Sequence, residues 1–96
     1  MATFNELIKS DKPVLVDFHA TWCGPCHQQA PILEDVKATL GDKTTIIKVD
    51  VDKNQKAAAQ FGVRSIPTLI LFKDGKQVWR QSGVATKQQL INVIDA

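Results

Sequence analysis

Two apolar runs with a helical stretch between them constrain this chain more than anything else in it. Val14-Leu15-Val16-Asp17-Phe18 is apolar except at Asp17, and Thr44-Thr45-Ile46-Ile47-Lys48-Val49 is β-branched and mostly apolar. Runs of this kind are strands, the first apolar enough to be covered on both faces. The stretch between them carries helical periodicity through Ala30, Leu33, Val36, Lys37 and Leu40, with Gly41 as its C-cap. Strand, helix, strand in that order predicts a βαβ unit with parallel strands. Pro31 lies inside the helical stretch and predicts a kink.

The remaining segments extend this unit. Thr3-Phe4-Asn5-Glu6 has capping-box spacing and starts a short helix, with Phe4, Leu7 and Ile8 on one face, to about Ser10. Another helix starts at Asp52 or its neighbours, runs through Ala57, Ala58, Ala59 and Phe61, and closes near Gly62. Ile66-Pro67 opens a third strand, Thr68 to Phe72, with Pro67 at its first residue, where it breaks no ladder bond. Asp74-Gly75 suits a type I′ turn into an antiparallel fourth strand, Gln77 to Gln81, with Trp79 on the outer face of the hairpin. Thr86 caps a last helix, with Gln89 at the box position and Leu90, Ile91 and Ile94 on the packing side. The order αβαβαββα predicts an α/β fold with a mixed sheet of about four strands flanked by about four helices.

The 96 residues fit one domain, 1–96, which buries roughly 60 to 65 per cent of its unfolded surface without structural disulfides or metals. The net charge is +2 and the lysines and arginines are scattered, so neither a nucleic-acid nor a membrane footprint is expected. No apolar run approaches the roughly 20 residues of a membrane span. Met1 to Asp11 lacks the basic-then-apolar order of a signal peptide. A soluble cytoplasmic monomer is expected, or a periplasmic protein if a leader has been cleaved away.

The only cysteines, Cys23 and Cys26, lie in Trp22-Cys23-Gly24-Pro25-Cys26. Such a pair can form a disulfide, supply half a metal site or hold a haem. In a cytosolic protein it is more often catalytic or metal-binding than structural. Cys23 falls just beyond the first strand, at the N-terminus of the long helix, where free N–H groups and the helix dipole stabilise a thiolate. Such placements depress thiol pKa values into roughly the 3.5–7.5 range. Cys26 is one turn further in, so it is expected to be less exposed and less acidic. Cys23 then attacks and Cys26 resolves, with Gly24-Pro25 as a stiff link. Cys26-His27 also completes a haem-attachment pattern, but the second axial ligand would have to be Met1 or His19. A zinc site could count His19 and His27, yet His27 follows Cys26 directly and points elsewhere on a helix. No metal or cofactor is expected.

Asp17 sits in an apolar strand that ends beside the cysteine loop. A buried carboxylate is costly unless paired, and desolvation raises its pKa, which makes it a candidate proton acceptor for Cys26. The alternative is a carboxylate that only bonds nearby backbone. Lys48 interrupts the neighbouring strand in the same way. It either pairs with Asp17 across the strands or is an edge lysine with its head in water, and spacing favours the latter.

These residues resemble the thioredoxin family. The match runs through Val16-Asp17-Phe18, Ala20-Thr21-Trp22-Cys23-Gly24-Pro25-Cys26, Ala30-Pro31, Lys48-Val49-Asp50-Val51-Asp52, Ser65-Ile66-Pro67-Thr68, Phe72-Lys73-Asp74-Gly75 and Gly83. The resemblance implies a thioredoxin fold and a thiol–disulfide oxidoreductase that reduces protein disulfides, with thioredoxin reductase as electron donor. It implies a cis Ile66–Pro67 peptide against the cysteines, with the Ile66 backbone binding an extended substrate. It implies that Asp17, helped by Lys48, takes the Cys26 proton. Trp22, Val51 and Gly83 would border the substrate groove beside Gly24, Pro25 and Pro67.

Three departures stand out. The N-terminal strand of the family is apparently missing, which would leave the Thr44–Val49 strand at a sheet edge. His19 stands where a second tryptophan is common; it either lowers the thiolate pKa if charged or is surface filler, and with no visible partner it reads as filler. Ser65 and Ser82 replace small or apolar groove residues. Two other uses of the fold stay open from sequence: an oxidising or isomerising protein of an exported compartment, and a binding subunit whose partners ignore the thiols.

Overall fold

The computed structural model describes residues 3–96, so Met1, considered above as an axial haem ligand, lies outside it. The elements are α1 (Phe4–Ile8), β1 (Val14–His19), α2 (Gly24–Leu40), a 3-10 turn (Gly41–Lys43), β2 (Thr45–Asp50), α3 (Gln55–Gln60), β3 (Thr68–Lys73), β4 (Lys76–Ser82) and α4 (Lys87–Asp95). The four strands form one sheet in the order β2-β1-β3-β4, with β1–β2 parallel and the other two pairings antiparallel. This is the expected mixed sheet. β2 lies at its edge.

Alternation along the strands builds two cores, one on each face. Leu15, Leu69 and Leu71 pack with Leu33, Val36 and Leu40 of α2 and Leu90 and Ile94 of α4. Val14, Val16, Phe18, Ile70 and Phe72 pack with Ile8 and Val49 on the other face. There Phe4, Phe18, Phe61 and Phe72 form tilted and edge-on ring pairs with centroids 5.3–6.4 Å apart, which hold α1 and the end of α3 to the sheet.

α2 runs unbroken through Pro31, whose exposed position lets water satisfy the carbonyl that loses its partner. α1 ends at Ile8 and α3 begins only at Gln55. The delay has a local cause: Asp50 Oδ1 accepts from the Asp52 and Lys53 N–H groups, and Asp50 O accepts from Asn54 N–H, so these residues form a turn. Pro67 precedes β3 rather than opening it. Asp74 and Gly75 both have positive φ, 53° and 79°, as a type I′ turn requires.

Trp79 does not lie on the outer face of the hairpin. A bulge in the β3–β4 pairing opposes Leu71 to Trp79 and Phe72 to Gln77, leaving Val78 unpaired. The extra residue reverses the parity of β4 beyond it. Trp79 therefore lands on the face of Leu71 and packs against the core under α2 and α4.

Candidate active site

β1 delivers the chain to the end of the sheet, and a tight turn, Cys23 N–H to Ala20 O at 3.2 Å, brings it back into α2. Cys23 is the N-cap of that helix. Its φ and ψ, −88° and 113°, are extended, and its Sγ accepts the Cys26 N–H at 3.2 Å. The sulfur thus occupies the position that a Ser or Asp oxygen fills at other helix starts, where it meets a free N–H and the positive end of the dipole. Cys23 and Cys26 are joined as a disulfide with their Cα atoms 5.3 Å apart.

The expected difference in exposure is absent. Cys23 is 4% exposed and Cys26 6%, because Ala20, Val51 and Ile66 pack over the pair from outside the helix. What distinguishes the sulfurs is the cap: Cys23 Sγ receives the helix N–H. Ile66–Pro67 is cis, and the Ile66 carbonyl oxygen lies 3.7 Å from Cys23 Sγ. Gly83 N–H donates to Pro67 O at 2.8 Å with φ of 94°, a conformation suited to glycine, and so ties the end of β4 to this proline.

Trp22 is 70% exposed beside the cysteines, and its Nε1–H donates to Asp52 Oδ2 at 2.8 Å. A shallow groove of about 160 Å³ runs from Trp22 and Val51 to Val63, Arg64, Ser65 and Ile66. The predicted residues Trp22, Val51 and Ile66 meet there, Gly24 and Pro25 are exposed on the first turn of α2, and Pro67 is buried behind Ile66. Ser82 bonds inward, its Oγ 3.4 Å from Thr68 Oγ1.

Asp17 is 2% exposed, on the face of β1 turned toward α2, and its Oδ1 has no hydrogen-bond partner, alone among the described buried side-chain atoms. Burial pushes its carboxyl up from 3.8 to about 6, with the charges of His19 and then Lys48 pulling the other way. His19 lies two residues along the same strand face, and of the two neighbours that oppose the burial of Asp17 it acts more than Lys48. Lys48 is directly opposite Asp17 in register but is exposed, and no ion pair joins the two.

Several residues here gave little sign in the sequence. Asp52 was legible only as part of a motif, because an exposed tryptophan N–H can be satisfied by water and so announces no acceptor. Gln29, fully buried, donates to Ala85 O at 3.1 Å and accepts from Ala85 N–H at 2.7 Å, locking α2 to the loop before α4. His27 holds the loop, its Nε2 2.8 Å from Thr21 O, and does not turn toward the sulfurs. Among the described residues no three His, Cys, Asp or Glu side chains cluster as a metal site, and no helix is long and apolar enough to cross a membrane.

A mixed sheet with a disulfide at the N-cap of its long helix and a buried carboxyl in the strand leading to it defines a dithiol–disulfide oxidoreductase. The chain belongs to the thioredoxin family, whose profile matches residues 1–96. It is 52% identical over 89 residues to the thioredoxin of Alicyclobacillus acidocaldarius subsp. acidocaldarius, covering 93% of this chain and 85% of that one. It is 45% identical over 95 residues to thioredoxin 1 of Synechococcus elongatus, covering 98% and 89%. A chain solved in work on the thiol-resolving mechanism of yeast mitochondrial 1-Cys peroxiredoxin superimposes with a TM-score of 0.86 at 32% identity, covering 96% of this chain and 85% of that chain. The family reduces protein disulfides through such a cysteine pair.

Proposed function

We propose that Cys23 is the attacking thiolate and Cys26 the resolving thiol of a protein-disulfide reductase. The observation that carries this is the cap: Cys23 Sγ, and not Cys26 Sγ, accepts the helix N–H. A thiolate gains more from that donor than a thiol does. Cys23 S⁻ attacks one sulfur of a substrate disulfide, forming a mixed disulfide and releasing a substrate thiolate that takes up a proton from water. Cys26 then gives its proton to the Asp17 carboxylate. Its thiolate attacks Cys23 Sγ, closes the Cys23–Cys26 disulfide and releases the second substrate thiolate. Two electrons pass from the protein dithiol to the substrate.

Asp17 is suited to the proton because its carboxyl titrates at about 6, nearer to working pH than an ordinary aspartate. Lys48 and His19 tune it rather than touch the sulfurs. Trp22, Gly24, Pro25, Val51, Ile66, Pro67 and Gly83 form the substrate-binding surface, with the Ile66 backbone beside Cys23 receiving an extended segment. Each turnover leaves a disulfide that needs a two-electron donor, so a thioredoxin reductase recycles it. A reducing compartment, the cytoplasm, suits a chain that keeps cysteine only at this pair. The protein works as a monomer, without metal or cofactor.

Two measurements test this reading. Cys26→Ser should accumulate mixed disulfides with protein substrates while Cys23→Ser should not, and equal trapping by both reverses or removes the role assignment. Equilibration with glutathione should place the pair near about −270 mV, a general reference value for thioredoxin rather than one derived from this structure, and a value above about −200 mV would make the protein an oxidant or isomerase.

A further inference from the structure

The bulge that turns Trp79 into the core also sets the face on which the next side chain of β4 lies. Beyond it Arg80 stands opposite Ile70, and Ser82 opposite Thr68. Residues directly opposite in an antiparallel pair share a face. Arg80 therefore lies on the side of Ile70, the side where Phe61 and Val63 pack. Bulges beside functional sites re-aim side chains in this way.

Arg80 uses that placement on the chain leaving α3. Its Nη1 donates to the Phe61 carbonyl, and its Nη2 donates to the Gly62 carbonyl at 2.9 Å. Phe61 is the C-cap of α3, so these two carbonyls follow the helix ladder and need donors from elsewhere. A guanidinium serves two successive carbonyls at once, whereas an ammonium on a flexible stem is a single point charge.

The residues that follow form a wall of the groove: Val63, Arg64, Ser65 and Ile66 line it together with Trp22 and Val51. Val63 N–H donates to Ala58 O at 2.9 Å. From there to Pro67 O the segment makes no backbone–backbone hydrogen bond among the described residues. Its far end is held from β3 and β4. Thr68 Oγ1–H donates to Ser65 O at 2.6 Å, Ser82 Oγ lies 3.4 Å from Thr68 Oγ1, and Gly83 N–H donates to Pro67 O at 2.8 Å. Arg80 is the matching anchor from β4 at the near end.

We propose that Arg80 is a positioning residue for the reduction of protein disulfides. By holding the Phe61 and Gly62 carbonyls to β4, it fixes the groove wall against which the substrate polypeptide lies. It touches neither the sulfurs nor the substrate. Cys23 is held separately, by its cap on α2, so Arg80 governs the fit of the polypeptide and not the exchange of sulfurs. This inference rests on the reading of the groove as the substrate surface.

Arg80→Met keeps the apolar stem and removes every donor, while Arg80→Lys keeps one flexible donor group. Each reduced protein is reacted with insulin and with hydroxyethyl disulfide, which is too small to lie along the groove while it reacts at Cys23. Arg80→Met should raise the half-saturating insulin concentration about fivefold, the loss of roughly one net hydrogen bond, with the maximal rate and the hydroxyethyl disulfide rate unchanged. Arg80→Lys should raise it less, by about twofold, and carries the same comparison if Arg80→Met does not fold. In NMR spectra of the oxidised proteins the Arg64, Ser65 and Ile66 amides should shift in Arg80→Met. A half-saturating concentration equal to that of the wild type in both variants, whether or not the urea midpoint falls, overturns the proposal. Equal losses with insulin and hydroxyethyl disulfide also overturn it, since they place the effect at the cysteines. A wild-type protein that reduces hydroxyethyl disulfide but not insulin fails the reading of the groove itself, and this inference with it.

Discussion

Asp17 stands directly opposite Lys48 in the β1–β2 register, yet the lysine head is in water and makes no ion pair with it. A buried carboxyl that lacks both an ion-pair partner and a hydrogen bond to Oδ1 favours its neutral form. That is why burial outweighs both neighbouring charges and leaves its pKa raised.

The raised value makes Asp17 a cost to the fold. Its folded pKa of about 6 lies above the 3.8 of an unperturbed aspartate. Only the ionised form is penalised, so the penalty is absent below the unfolded value, grows as pH rises between the two, and is complete above the folded one. About two pKa units correspond to about 3 kcal/mol. Asp17→Asn should therefore stabilise the protein by up to about 3 kcal/mol at pH 7, and the gain should vanish near pH 4. Urea denaturation at both pH values measures this. An equal gain at both would place its origin elsewhere than in the charge.

The two charges that oppose burial can be removed one at a time. His19→Gln and Lys48→Met should each move the Asp17 midpoint further above about 6, the histidine change more than the lysine change, following the order of their effects. A carboxyl-detected NMR titration reads the midpoint directly. The pH profile of mixed-disulfide resolution should move in the same direction. A midpoint that does not move in His19→Gln returns this residue to the role of surface filler.

Trp22 and Asp52 form a tether between the cysteine loop and the turn after β2. Trp22→Phe keeps the ring but removes the donor, and Asp52→Asn keeps an acceptor without the charge. Losing an exposed hydrogen bond of this kind costs about 1 kcal/mol, so Trp22→Phe should lower kcat/KM for protein disulfides roughly fivefold. Asp52→Asn should lower it less. Equal kcat/KM in all three proteins would make the tether incidental.

Gln29 has no part in the chemistry but satisfies both backbone groups of Ala85 inside the core. Gln29→Leu would leave a buried N–H and C=O without partners, at a cost of about 2 to 4 kcal/mol. The midpoint of chemical denaturation should fall accordingly, and Gln29→Glu should not recover the loss at pH 7, because it turns a buried carboxylate on the Ala85 carbonyl. A neutral leucine variant would mean that water reaches Ala85.

Elements were legible where one residue type answers one local demand. Asp74-Gly75 specifies its turn through positive φ at both positions, and Thr86 with Gln89 forms the expected reciprocal cap. The apolar runs appear as β1 and β3 because strands buried on both faces need such residues. Boundaries slipped where a side chain outside the run decided them, as when Asp50 held the chain in a turn and delayed α3 to Gln55.

The disulfide reading of Cys23 and Cys26 was in the sequence, through the helix N-terminus that the order of runs implied. So was the presence of a carboxyl in the strand leading to it. What only the tertiary structure decided is how the surroundings act on those groups. Val51 and Ile66, distant in sequence, join Ala20 in burying both sulfurs alike and leave the cap as the difference between them. Lys48 faces Asp17 without pairing to it, His19 acts on it from the same strand face, and one bulged residue turns Trp79 into the core. Side-chain chemistry belongs to single residues and can be read along the chain. Burial, register and parity depend on which strands meet and how they are aligned, and no local run of residues carries that information.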